Sequence, residues 1–236
     1  MAPEKIIAAF DAAADSYDAW TGVQSEVARA LVARAGGAPK TILDIGAGTG
    51  HVTGLAREKW PDARISALDA APKMLARLKA KFLDVETICA DAATFSGAAR
   101  YDLILSSMAL HWLNDPARVL QNWRGLLATG GALHVAVPVE GALQEWRDFL
   151  RASGLQDSLW PFPQRDFAGP CDIVAFPARF ESARAFARSL KKSGAHRAAP
   201  GSSPLPAHAL RKALAGRPGP FTATFQVAFL RMEPIA

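Results

Sequence analysis

Apolar residues recur along this chain with two periods, and the switch between them predicts its elements. Over residues 4–15 and 23–35 they return every three to four positions, the spacing of amphipathic helices, and Gly36-Gly37 stops the second run. From residue 41 short apolar runs alternate with helix-period segments. The runs at 41–45, 64–68, 85–90, 101–105 and 132–137 predict five strands. Helices are predicted at 51–59, at 72–81 behind an N-terminal Pro72, and at 115–127 before Gly130-Gly131. Residues 139–170 break the rhythm with prolines and aromatics and predict a partly helical insertion beside the site. A strand at 173–176, helices at 181–193 and 207–215, a Pro/Ser loop at 198–206 and a strand at 221–230 complete the chain. Strand-helix alternation of this kind predicts an α/β fold, a mostly parallel seven-stranded sheet with helices on both faces. The chain divides as one domain: N-terminal helices over 1–37, a core over 41–138, the insertion over 139–170 and the sheet completion over 171–236.

Four successive predicted strands end in polar residues, Asp44, Asp69, Asp91 and Ser106. Ligands of such sheets sit beyond the carboxyl ends of the strands. A strand-end acid taken alone is a turn or cap residue. In register with Gly46, Gly48 and Gly50, which follow the first strand, the set points to a ligand. The glycines let the main chain approach it, and the helix from His51 presents N–H groups to an anion. The spacing is not G-x-G-x-x-G, and Asp44 would repel a pyrophosphate. A ligand with both a carboxylate and an ammonium fits better, and S-adenosylmethionine (SAM) carries both. Asp69 lies far enough beyond the glycines to accept ribose hydroxyls.

Composition narrows the class. The 236 residues are 50% hydrophobic and 21% charged, which suits one large globular domain. Nothing reads as a membrane span or a signal peptide, and Cys89 and Cys171 are too few and too far apart for a disulfide framework or a zinc site. A cytoplasmic protein without a structural metal is expected. Charge is uneven: residues 171–236 carry a net +7 and the rest −2. That asymmetry suggests an anionic partner, a solvated basic face being the alternative.

Taken together, the glycine loop and the strand-end acids resemble the class I SAM-dependent methyltransferases, with their Rossmann-like fold. The resemblance implies that Asp44, Gly46, Gly48 and Gly50 hold the methionine part of the cofactor, Asp69 the ribose, and Asp91 and Met74 the adenine. Met74 could equally be plain helix core. It also implies that Ser106 lies where the fourth strand delivers backbone groups toward the reacting methyl. After that strand the chain reads Ser106, Ser107, Met108, Ala109, Leu110, His111, Trp112, Leu113. This lacks the Asn/Asp-Pro-Pro-Tyr/Phe of enzymes that methylate base amines, so no nucleic-acid substrate is expected. It resembles carboxyl methyltransferases, where a His-Trp or Gln-Trp pair occupies the segment. A carboxylate is already ionised at neutral pH and needs positioning more than a base. His111 and Trp112 are then candidate donors, or else core.

Two further segments narrow the resemblance. An Ala-rich stretch leads from Ile6 through Phe10 and Asp11 to Tyr17, with Gln24 beyond it. A later segment reads Ser189, Leu190, Lys191, Lys192, Ser193, Gly194, Ala195. Both resemble the malonyl-carrier-protein O-methyltransferases of biotin synthesis, although this chain has Ala71 where the family often has Ser, and Val23 before Gln24. The resemblance implies that Tyr17 belongs to a lid and that the partner is an acidic acyl carrier protein. Arg184, Arg188, Lys191, Lys192 and Arg197 are the candidates to meet it. Methylation of a small free acid such as aconitate, or a role as an assembly factor that keeps the fold, are the competing readings.

Overall fold

The structure, a computed structural model, describes residues 4–157, 159–165, 167, 171–196 and 205–235. Its centre is a seven-stranded sheet in the order β3-β2-β1-β4-β5-β7-β6. The strands are β1 (Thr41–Ile45), β2 (Arg64–Asp69), β3 (Glu86–Cys89), β4 (Tyr101–Ser107), β5 (Leu127–Pro138), β6 (Cys171–Phe180) and β7 (Phe221–Met232). The first five run parallel, and β7 lies antiparallel between β5 and β6. The strand order reverses between β1 and β4, which opens a crevice at their carboxyl ends.

Alternation along the strands sends successive side chains to two cores. On one face Ile42, Leu103 and Leu105 pack with α2 (Gly22–Arg34) and α3 (His51–Lys59). The same core takes in α6 (Gln144–Ala152) and α7 (Ala183–Lys192). On the other face Leu43, Ile45 and Ile104 pack with α5 (Pro116–Arg124), whose Trp123 is fully buried. The indole of Trp123 donates to Ala92 O at 2.8 Å, and Asn122 donates to Ala93 O at 3.1 Å. α5 thereby fixes the loop that follows β3 and carries Asp91. α4 (Pro72–Lys81) leads away from β2, α8 (Ala207–Ala215) precedes β7, and α1 (Glu4–Ala13) lies outside the sheet near α4. A ring cluster of Trp146, Phe149, Phe186 and Phe221, with centroids 5.2–6.4 Å apart, ties α6, α7 and β7 together.

Three expectations change. The helix expected over 115–127 ends at Arg124, and β5 starts at Leu127, so Gly130-Gly131 lies inside a strand. There β4 and β5 slip register: Tyr101 pairs with Leu127 but Leu103 with Ala132. A Cβ on Gly131 would come within 2.8 Å of Tyr101 O, so glycine serves a bulge here and not a helix end. β6 is longer than the expected 173–176 and contains Pro177. It is an edge strand, where proline costs no ladder bond on its open side. The first helix stops at Ala13, and Tyr17 opens a separate 3-10 turn, Tyr17–Trp20. Most of the expected Pro/Ser loop over 198–206 lies outside the described residues.

Candidate active site

The chain leaves β1 through three tight turns. Gly46 has φ +72°, and a Cβ there would stand 2.3 Å from Ala109 Cβ, on the segment that leaves β4. The backbone N–H groups of Gly46 and Ala47 donate to Leu68 O at 2.8 and 3.0 Å, which pins the loop to the end of β2. Gly48 also has positive φ, but a Cβ there would meet nothing within 4 Å. That space belongs to a cavity at the carboxyl ends of the strands. Gly46, Gly48, Asp69, Met74, Asp91, Tyr17 and Trp112 all line it.

Asp69 ties the cavity wall together. Its Oδ2 accepts the Gly48 N–H and its Oδ1 accepts the Ala71 N–H, both at 2.8 Å. Ala71 uses its main chain, so the Ala for Ser departure removes nothing from this contact. A carboxylate offers about four acceptor positions, so capacity remains to receive a hydroxyl from the cavity side. Burial raises the Asp69 pKa, and the donated N–H groups oppose that rise. Asp91 accepts the Ala93 N–H at 3.0 Å.

Asp44, Gly50 and Ser106 stand behind the wall. Asp44 is buried, with Oδ2 accepting from Thr53 Oγ1 at 2.6 Å and Oδ1 lacking a partner among the described residues. Burial pushes its pKa up to about 7. Gly50 packs against Leu78 and Phe82, where a Cβ would meet Phe82 at 2.9 Å. Ser106 is fully buried, and it is Ser107 that faces the cavity. An open cradle at Gly48 and a bidentate acid facing the same cavity fit an adenosyl ligand with an amino-acid tail.

A second chamber adjoins the first. Phe10, Tyr17, Met108 and Trp112 line both and form their common wall. His111 lines only the second chamber, its ring tilted against Trp112 with centroids 4.5 Å apart and 5.6 Å from that of Phe162. Trp160 closes the group, with its indole donating to His111 O at 2.6 Å. The remaining polar side chains there are Gln24 and Ser193, and no Lys or Arg among the described residues lines it. Met108 holds φ +57° at the junction, a strained conformation of the kind that collects at functional sites. Phe10, Met108, Trp160 and Phe162 were not singled out in the sequence. The aromatic density of 139–170 was the one available signal for the last two.

The N-terminal segment covers both chambers and is fastened at several points. Lys81 Nζ donates to Asp18 Oδ2 at 2.6 Å, Thr49 donates to the other oxygen, and Asp15 pairs with Arg77. The Lys73 N–H donates to Asp11 Oδ1 at 2.7 Å, and Thr21 and His51 are hydrogen-bonded at 3.0 Å. Behind α1, a Cβ on Gly194 would meet Ala9 O at 3.0 Å and Phe10 Cα at 3.1 Å, and Ser16 Oγ donates to Lys192 O at 3.2 Å. The Ser189–Ala195 segment is therefore the seat on which the N-terminal helix rests. Burial, with Asp69 and Asp18 nearby, raises the Tyr17 pKa well above its usual value, so its hydroxyl stays a donor.

Burial depresses the His111 pKa to about 3, and its Nδ1 has no partner among the described residues. A folded-state pKa below the unfolded value means that the unfolded chain takes the proton first. Stability is complete above about pH 6.5 and is lost as pH falls toward 3. Asp44, shifted upward, acts with the opposite sign. A comparison with His111→Phe cancels that contribution. Wild type should lose on the order of 3 kcal/mol relative to the variant at pH 4 and nothing at pH 8. Denaturant titrations across that range check it, and parallel curves would mean that the ring is already solvated or paired.

Comparisons with known proteins agree with this architecture. A family described as "Methyltransferase domain" matches residues 42–131. The malonyl-[acyl-carrier protein] O-methyltransferase of Laribacter hongkongensis (strain HLHK9) is 31% identical over 84% of this chain and 75% of its own length. A trans-aconitate 2-methyltransferase of Methylobacterium radiotolerans is 40% identical over 43% of this chain and 39% of its own. The solved structure of the YcgJ protein from Bacillus subtilis covers 89% of this chain and 99% of its own with a TM-score of 0.61, at 12% identity, and so shows the fold alone. Because this first relative is 31% identical over 84% of the chain and 75% of its own length, and a second of the same description is 31% identical over 79% and 70%, the chain belongs to the class I SAM-dependent methyltransferases related to the malonyl-[acyl-carrier protein] O-methyltransferase family, with SAM as its cofactor.

Proposed function

We propose that this enzyme methylates the free carboxyl of a malonyl thioester carried by an acyl carrier protein, as in biotin synthesis. The observation that carries the reading is the second chamber. It is small and aromatic, and no cation among the described residues lines it. One carboxylate can be accommodated there beside a donor cofactor. A tricarboxylate such as aconitate would bury further uncompensated charge, which is costly. The methyl ester product is neutral, so the reaction masks a charge.

In this reading the Gly46–Gly48 backbone cradles the cofactor's methionine part, Asp69 holds the ribose, and Asp91 and Met74 meet the adenine. Asp44 balances the ammonium from behind the loop, while Gly50 and Ser106 act through packing. Tyr17, Trp112 and His111 orient the acceptor carboxylate, the last through a neutral ring.

The exposed face of α7 supports a protein-borne substrate. Arg184, Arg188, Lys191 and Lys192 are exposed there, while Phe186 and Ser189 on the other side are buried. Leu190, Ser193 and Ala195, at the end of the same helix, line the second chamber. Arg197 lies outside the described residues. A basic face beside the acceptor chamber suits an acidic carrier protein.

Incubation with SAM and malonyl carrier protein, read by mass, should show a gain of one methyl group. Reversing Arg184 and Arg188 to Glu should raise the KM for malonyl carrier protein several-fold. The KM for SAM should not move, and the defect should fade with added salt. Equal losses on malonyl carrier protein and malonyl-coenzyme A would leave a solvated basic face and no docking site.

A further inference from the structure

Four observations converge on the charge of the second chamber. Its polar side chains, Tyr17, Gln24, His111, Trp112 and Ser193, are all neutral groups, with the imidazole held unprotonated by burial. Behind Phe162 lies Arg147, 5.6 Å from the ring centroid, and it is paired with Asp157. Acids stand close to the common wall: Asp69 lines the first chamber, and Asp18 adjoins Tyr17. Lys81 is taken by Asp18 and by Thr49 O, and Lys191 and Lys192 beside the chamber are exposed on α7. Among the described residues, a carboxylate entering an otherwise empty site would therefore find hydrogen-bond donors but no counter-charge lining the chamber, in a setting where removal from water is costly.

We infer that the acceptor carboxylate is held by the sulfonium of the bound methyl donor, so that the acceptor chamber becomes competent for an anion only after the donor is in place and loses that competence when the methyl has gone. This rests on the carboxyl-methylation reading and extends it to binding order and product release. The charge balance of the transfer is simple. A carboxylate oxygen lone pair forms the new O–C bond, the C–S bond breaks, and its electron pair goes to sulfur. A cation and an anion become a neutral thioether and a neutral ester, and no proton moves. The attraction that assembled the pair disappears in the same step. The ester is left in a chamber of aromatic walls, without an ionic tether, and the product complex has no charge with which to hold a second carboxylate.

The test measures binding as well as turnover, with malonyl-pantetheine as the probe so that protein docking plays no part. Its affinity is measured calorimetrically for protein loaded with sinefungin, which carries an ammonium in place of the methylated sulfur, and for protein loaded with S-adenosylhomocysteine, which is neutral there. Acetoacetyl-pantetheine, of the same shape but uncharged, is the control. Malonyl-pantetheine should bind about tenfold or more tightly to the sinefungin complex, and acetoacetyl-pantetheine equally to both. Equal affinity of malonyl-pantetheine for the two complexes would overturn the inference, because the chain would then be supplying its own cation, with Arg147 the first to examine. Methylation of malonyl-pantetheine by the SAM-loaded enzyme separates the two levels. Turnover with a flat affinity ratio removes this inference alone, whereas absence of turnover removes the carboxyl-methylation reading and the inference with it.

Discussion

Replacing Gly46 by alanine should abolish measurable SAM binding and also destabilise the fold by about 2–4 kcal/mol. Two penalties coincide at this residue. Its φ of +72° is strained for any side chain, and the new methyl would overlap Ala109 Cβ at 2.3 Å. Neither partner has room to yield. Ala109 follows Met108, which is already strained at φ +57°, and the glycine loop is pinned to Leu68 O. Gly48→Ala is the informative companion. Its φ is also positive, but the added methyl would enter open space in the cavity. That variant should keep most of its stability, losing about 1–2 kcal/mol, yet bind SAM poorly because the methyl takes ligand space. Thermal melts and calorimetry on both proteins separate loss of the loop from loss of the site. If Gly46→Ala bound SAM like wild type, the loop would not be the cofactor cradle.

Asp69→Ala should weaken SAM binding by about 1.5–3 kcal/mol through lost hydroxyl contacts alone. The structure adds a second consequence. Asp69 accepts from both Gly48 and Ala71, so its removal frees two backbone donors and unties the glycine loop from the start of α4. Cofactor affinity and loop protection in hydrogen exchange should therefore fall together. Unchanged affinity in calorimetry would reject Asp69 as the ribose acid. Unchanged exchange at Gly48 would mean that the loop keeps its shape without it.

Much of this was legible in the residues. The sheet was readable because the first four parallel strands are apolar runs closed by a polar residue or a glycine, signals that are local in the chain. The glycines and Asp69 were readable for the same reason. Less visible was the difference between lining a cavity and supporting its wall. Asp44, Gly50 and Ser106 share the motif with residues that touch the cavity, and only the turn of the backbone sends them behind it. Gly130-Gly131 resembled a helix stop because a bulge against β4 depends on a strand far away in sequence. Phe10, Trp160 and Phe162 meet Trp112 and His111 only through folding. The Ser189–Ala195 segment could be recognised as a motif, but its purpose as the seat of α1 depends on the contact between Gly194 and Ala9.

The partition made by Phe10, Tyr17, Met108 and Trp112 has a kinetic consequence. Two of these residues belong to the chain's first twenty, which cover both chambers at once. Lifting that segment would unroof donor and acceptor sites together, and lowering it would seal them together. In the proposed reaction, spent cofactor and ester would then be uncovered by the same movement. In that reaction, a tethered acyl group on one side of the partition would thus hold the cover over the adenosyl side as well, and its departure would free both.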